Sequence, residues 1–395
     1  MRFRYPDARD QVEQRARERL LAKMDSWWKA FTDSAETIDR RFSRKAEFDI
    51  PAFMHQHLGA VDPRLSWEFG PGVRGGKHRL VITPEAGRHL RPMVDVLLRR
   101  APRLEAWEFY PYRLAENLQQ AELTVQGRTQ GSIEGWRVCI SENEAQGVDL
   151  TYWAPSCAGP DDEAARSVAF VATETLLGEE ILDKFIDGIE VASSPVAGAK
   201  DVALDELREQ VDLALRRQRE LLPDRPLLDS FDDAKWTLMK LEPADAPDYE
   251  HQLDLFVAKT SQMPMWQRAH SSLPFVSARF SRCGETFCFI KTDGSQGLDP
   301  TGFADKAEIE DALEAALGRD RLGAVIGGGT GRRYSYVDLA LVDVERAIPV
   351  IQAALRGGKI AKRTWLQFFD SELADEWVGI WDDTPAPPGF EPTPE

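Results

Sequence analysis

The chain has 395 residues, enough for two or three domains, and its 43% hydrophobic and 29% charged content is ordinary for a folded protein. Acidic residues outnumber basic ones 66 to 49, and a net charge of −17 makes nucleic acid an unlikely ligand and a basic protein partner the more natural one. No apolar run approaches the roughly 20 residues of a membrane span, no signal-type apolar segment follows Met1, and four cysteines make no disulfide framework, so a cytoplasmic protein with reduced thiols is expected.

The first 45 residues predict a long amphipathic helix. Val12, Ala16, Leu20, Met24, Trp27, Phe31, Ala35, Ile38 and Phe42 recur every three or four positions, and Arg9, Arg15, Arg17, Arg19 and Lys23 form a basic face. Two similar stretches follow, Leu65-Ser66-Trp67-Glu68-Phe69-Gly70-Pro71 and Glu105-Ala106-Trp107-Glu108-Phe109-Tyr110-Pro111. Each alternates aromatic and acidic residues, the pattern of a half-buried strand. His78 to Thr83 reads as a strand and Glu85 to Arg100 as a helix. Gly135 to Ser141 and Gly147 to Trp153 read as strands, Ala164 to Phe185 as a helix, and Ile189 to Ala192 as a strand. One antiparallel-rich sheet under a helical layer is expected.

Ser193-Ser194-Pro195-Val196-Ala197-Gly198 is the expected domain boundary, followed by a helix from Val202 to Leu222 and an irregular, proline-punctuated middle. Phe275 to Phe280 and Thr286 to Lys291 predict a hairpin. Then come a helix (Ala304 to Leu317), strands at Gly323 to Ile326 and Tyr334 to Val342 around a glycine-rich turn, and a helix (Val344 to Leu355). Strands at Trp365 to Phe369 and Trp377 to Trp381 close the series, the last apolar on both faces and so expected to be central. The expected fold class is α+β: two ferredoxin-like (split βαβ) sheet-plus-helix domains with a long N-terminal helix. The expected segments are 1–60 (N-terminal helix), 61–195 (first domain), 196–247 (linker), 248–383 (second domain) and 384–395 (disordered Pro-rich tail).

Gly327-Gly328-Gly329-Thr330-Gly331-Arg332-Arg333 is the most tempting motif, because glycine loops cradle phosphates. A phosphate loop, however, opens a helix, whereas these glycines lie between strands. Gly329, Arg332 and Arg333 are nevertheless the candidate ligand-binding residues. His55-Gln56-His57 lies in loop or helix, where positions two apart diverge, and Cys283 and Cys288 lack two further ligands nearby. No metal, no cofactor and no catalytic residue is therefore expected. Asp161-Asp162-Glu163 fits a helix N-terminus, and Asp232-Asp233 is a second acidic pair. Trp67, Phe69, Trp107 and Phe109 fit core packing better than an RNA-stacking platform, being flanked by Glu68, Glu105 and Glu108.

The stretch from Leu65 to Arg113, with Leu80-Val81-Ile82-Thr83-Pro84 and Arg100-Ala101-Pro102-Arg103-Leu104-Glu105-Ala106-Trp107-Glu108-Phe109, resembles a group of uncharacterised bacterial proteins. The piece from Gly323 to Trp381 is similar in pattern to small α+β bacterial domains distantly like the inhibitory regulators of ribonuclease E. The resemblance rests on packing residues and implies no site residue. It implies a non-enzymatic regulator, inhibitor or immunity-type protein that binds a partner through an acidic and aromatic surface. The alternative expectation is an enzyme or small-molecule-binding protein with a site between the two domains. RNA binding through the aromatic strands stands third.

Overall fold

The computed structural model describes residues 1–390, apart from 158, 160, 161, 230–234 and 244. The chain is a mixture of helices and several sheets, the α+β class expected, and forms two compact units. One unit comprises residues 10–143 and 148–214. The other comprises 1–9, 144–147 and the chain from Leu215 onward. The division falls inside a helix between Ala214 and Leu215. The expected boundary at Ser193–Gly198 is a loop within one sheet, because the strand after it pairs back into that sheet.

The unit from residue 10 opens with α1 (Gln11–Phe42), whose first amides are capped by the Asp10 carboxylate, and α2 (Ile50–His57), capped by Asp49. Then come β1 (Ser66–Pro71), β2 (His78–Thr83), α3 (Arg91–Arg99), β3 (Trp107–Tyr110), α4 (Leu118–Thr129), β4 (Arg137–Glu142) and β5 (Val148–Trp153). The unit is completed by α5 (Glu163–Leu177), α6 (Glu179–Phe185), β6 (Ile186–Ala192), β7 (Lys200–Ala203) and the start of α7 (Leu207–Leu221). A single sheet was expected here; there are two, a three-stranded β1-β2-β3 and a four-stranded β6-β5-β4-β7. Each contains one parallel pair, β2 with β3 and β5 with β6.

The helix expected over 164–185 is two helices. Gly178, at φ +84°, breaks it where a Cβ would press on the backbone of Arg113 and Ala115. Of the acidic cluster before α5, Asp162 accepts from the Ala165 amide as the N-cap, and Asp161 lies outside the described residues, as do Asp232 and Asp233.

The aromatic repeats pack as the alternation predicts. Phe31 of α1 sits edge-on to Trp107 (5.0 Å) and Phe109 (5.6 Å), Trp28 to Phe109 (4.8 Å), and Phe42 lies against Phe69 (5.5 Å). These rings are the layer between helix and sheet. On the other face of β3, Glu108 accepts the Val73, Arg74 and Gly76 amides and the Tyr110 hydroxyl, so it ties down the Gly72–Gly76 turn. The Tyr110 hydroxyl and those amides hold its carboxyl down to about 2.

The second unit continues through β8 (Thr237–Lys240), β9 (Leu255–Thr260), α8 (Met263–Ala269), β10 (Thr286–Asp293), α9 (Lys306–Arg319), β11 (Gly323–Gly331) and β12 (Tyr334–Leu341). It ends with α10 (Val344–Gly357), β13 (Thr364–Phe368) and β14 (Trp377–Gly379). One seven-stranded sheet results, ordered β14-β13-β10-β12-β11-β9-β8, with every pairing antiparallel. At its centre the run β10-α9-β11-β12-α10-β13 interleaves two strand–helix–strand pieces, giving the order β13-β10-β12-β11. Both helices cover one face, with Ile309, Leu313, Leu317, Ala347, Ile351 and Leu355 in the core.

Three sequence expectations need correction here. Phe275 to Phe280 is not a strand. Residues Ser277–Arg279 form a 3-10 turn, and Phe275 and Phe280 stack on each other at 5.4 Å. The strand at Trp377 is an edge strand. It is apolar on both faces because residues near the N-terminus cover it, the Arg2 guanidinium lying 3.8 Å over the Trp377 ring. The tail is ordered as far as 390, since the Trp365 indole N–H donates to Pro385 O (2.6 Å) and Pro387 is buried; 391–395 lie outside the described residues.

Replacing Phe31, fully buried among Trp27, Trp28, Trp107 and Phe109, by Ala is expected to cost about 3–5 kcal/mol. Urea denaturation measures it, and a cost below about 1 kcal/mol would mean that α1 does not anchor this layer.

Candidate functional site

The face of the seven-stranded sheet away from α9 and α10 carries four buried charged residues, Asp254, Lys291, Asp293 and Asp338. Alternation along β12 puts Tyr334, Tyr336 and Asp338 on this face and Val337, Leu339 and Leu341 on the helix side. The registers then set two rows across the strands. One runs Trp365, Lys291, Tyr336, Gly329, Ala258. The next runs Gln367, Phe289, Asp338, Gly327, Thr260.

Over the glycine end of these rows lies the chain leading into β9. Asp254, fully buried, accepts the amides of Arg333 (2.8 Å) and Tyr334 (2.9 Å) and the Tyr336 hydroxyl. A Cβ at Gly331 would overlap the Asp254 carboxylate, and one at Gly329 would overlap Leu255. The glycine run is therefore strand, not the turn expected. Its missing side chains admit an acidic segment onto the sheet. Gly328, at φ +148°, directly precedes them, just past a bulge between Val325 and Gly327.

At the open end of this face, Arg333 and Arg363 converge on two carboxylates. Asp293 accepts from Arg333 Nη2 (2.9 Å) and Arg363 Nε (2.9 Å), and Asp248 lies 3.4 and 3.3 Å from the same two guanidinium groups. Burial works to raise the Asp293 carboxyl, but its bonds from Arg333 and Ser295 outweigh that and hold it near 2. Lys291 lies deeper, fully buried, with its ammonium donating to Tyr249 O and lying 4.2 Å from the Tyr334 ring centre. Burial drops its pKa to about 8, Arg363 and Arg333 adding to the fall while Asp254 and Asp248 oppose it.

In the next row Asp338, 1% exposed, has one oxygen bonded by Gln252 Nε2 (2.8 Å) and the other, Oδ2, without a hydrogen-bond partner among the described residues. Both polar atoms of the buried Gln367 amide and the Trp266 indole N–H are likewise unpartnered among the described residues.

Of the three expected ligand-binding residues, Gly329 lies in β11 beneath Leu255, and Arg332 is an exposed side chain 3.0 Å from Asp245. Arg333 alone enters the cluster, and there its charge is matched by Asp293 and Asp248. Lys291, Asp254, Asp338 and Arg363 were missed. A lysine or aspartate in an otherwise apolar strand, as in Phe287-Cys288-Phe289-Ile290-Lys291 or Tyr336-Val337-Asp338-Leu339, was the available signal. His55 and His57 sit at different angles on α2, with His57 against Phe53 (4.8 Å). No group of three or more metal-type ligands occurs among the described residues. Cys288 is fully buried, which pushes its thiol well up, and Cys283 stands half-exposed in the turn before β10. No described helix is long and apolar enough to cross a membrane. No family model, curated protein or solved structure matches the chain.

Asp338 has a direct thermodynamic consequence. Burial raises its carboxyl to about 6. A folded-state pKa above the unfolded value gives stability that is complete below about 4 and is lost as pH rises through the folded value. Asp338→Asn is expected to gain on the order of 2 kcal/mol over the native chain at about pH 8 and nothing at about pH 4. Urea denaturation at the two pH values measures it, and an equal gain at both would assign the effect to shape and not to charge.

Proposed function

We propose that this is a cytoplasmic, non-enzymatic regulator or inhibitor that binds a basic partner protein by adding a strand of that partner to β8. The carrying observation is the state of this edge. Among the described residues the sheet ends at β8, and Leu238 in that strand is 73% exposed. Trp236 just before β8, Leu253 just before β9 and Phe256 in β9 are exposed as well. An apolar side-chain cluster beside a ladder edge is the arrangement that strand addition uses: main-chain bonds supply affinity and alternate side chains supply specificity.

The opposite edge supports the contrast. At β14 the Arg2 guanidinium donates to Trp377 O (3.1 Å), and Glu376 accepts the amides of Phe3, Arg4 and Tyr5. The chain closes that edge with its own residues. A charge of −17 would speed the approach of a basic partner more than it would tighten the complex. The interleaved β10-α9-β11-β12-α10-β13 run supports a ferredoxin-like reading for this unit. The paired sheets of the other unit favour no such reading there.

Capture from native lysate tests the proposal with three proteins: the native chain, Leu238→Lys, and Leu123→Lys as a control at another exposed leucine. A basic protein held by the native chain and the control at low salt, released by high salt, and weakened at least about tenfold by Leu238→Lys is expected. Retention by Leu238→Lys, or no specific partner at all, would overturn the reading.

A further inference from the structure

Gln252 stands between a surface histidine and the buried aspartate. Its Oε1 lies 3.1 Å from His270 Nε2, and its Nε2 donates to Asp338 Oδ1 at 2.8 Å. The other ring nitrogen of His270, Nδ1, lies 2.9 Å from the carbonyl oxygen of Trp266, one turn back at the end of α8. Both ring nitrogens therefore face acceptors. That arrangement requires an imidazolium, since a neutral ring has one N–H to donate. Asp338, accepting from the amide, is then the carboxylate.

A second arrangement fills the same positions without charge. If the Gln252 amide is turned half a revolution, its Oε1 faces Asp338 and its Nε2 faces the ring. A protonated Asp338 then donates Oδ1–H to the amide oxygen, and the amide N–H donates to the unprotonated His270 Nε2. Nδ1–H stays on Trp266 O throughout. The two arrangements hold the same protons: the one on Nε2 passes to Gln252 Oε1, is carried round as the amide turns and is left on Asp338 Oδ1, while both amide N–H bonds stay intact.

We propose that His270, Gln252 and Asp338 form a proton relay, in which one proton resides on either the histidine or the buried aspartate and the glutamine amide turns with it. His270 is solvent-exposed, Gln252 is buried and Asp338 is at the centre of the sheet, so the relay links solvent to the interior. Two features favour the uncharged arrangement: the carboxylate is buried, and its Oδ2 has no partner among the described residues to stabilise a negative charge. Its opponent is the end of α8, whose C-cap is His270 and whose dipole favours an imidazolium. The charged groups whose fields reach Asp338 are Lys306 and Glu310; Lys291 and Asp254 lie on the same face, at the next row and over its glycine end. The relay makes the seat of α8 on the sheet sensitive to protonation of a group inside the sheet.

Nitrogen NMR of the His270 ring across a pH series, on the full chain, tests this. In the native chain the Asp338 carboxyl carbon and the His270 nitrogens are expected to show inflections at shared midpoints. Asp338→Asn, which copies the protonated carboxyl, is expected to remove the higher of the two shared midpoints from the His270 titration and leave a single step. In a Gln252→Leu background the His270 ring is expected to titrate in a single step with or without that substitution. Independent midpoints in the native chain, an unchanged His270 titration in Asp338→Asn, or the same change in both backgrounds would overturn the relay.

Discussion

The Asp254 carboxylate is the constraint on which the rest of this sheet face depends. A fully buried aspartate is costly unless its lone pairs are filled, and here two amides and a phenol fill them. All three donors belong to β12 or the turn before it, so the bonds fix where the incoming chain crosses the sheet. That crossing needs space, and the glycines of β11 provide it. The segment in turn places Asp248 beside Arg333 and Arg363, and Gln252 beside Asp338. The charge cluster and the relay are thus consequences of one seated carboxylate.

The charges at the open end are balanced among themselves. Two guanidiniums meet two carboxylates, and Lys291 lies beneath them with its pKa lowered to about 8 by burial. An anion entering here would have to displace Asp293, which is itself mostly buried. The cluster reads as structural electrostatics, whereas Trp236, Leu238, Leu253 and Phe256 stand exposed near the β8 edge. This division, with charge inside and apolar residues at the rim of a strongly acidic protein, is what directs the functional reading toward a protein partner.

Much of the fold was legible because burial and periodicity agreed. α1 and the aromatic repeats follow their patterns closely, since each has one wet face. α9, α10 and five strands of the seven-stranded sheet were found for the same reason, whereas β8 and β9 were missed. Where a face is covered by something distant in sequence, the pattern misleads. Trp377 to Trp381 looked central because Arg2 and its neighbours cover an edge. α4 escaped because Ala121 and Val125 are its buried residues, too few to draw a stripe. The glycine run looked like a turn because glycine usually marks one. Its reason, a carboxylate more than 70 residues earlier, has no local trace. The same holds for the candidate residues: Arg333 was found through its neighbouring glycines, while Lys291, Asp338 and Gln252 derive their character from cross-strand neighbours.

The most direct test of this account is amide hydrogen exchange at Arg333 and Tyr334 in Gly331→Ala. If the glycine exists to seat Asp254, adding a methyl group should unseat it, and both amides should exchange at least about tenfold faster while the α1 layer is unchanged. Unchanged protection of both amides would contradict the claim that this carboxylate, admitted by that glycine, organises the sheet face.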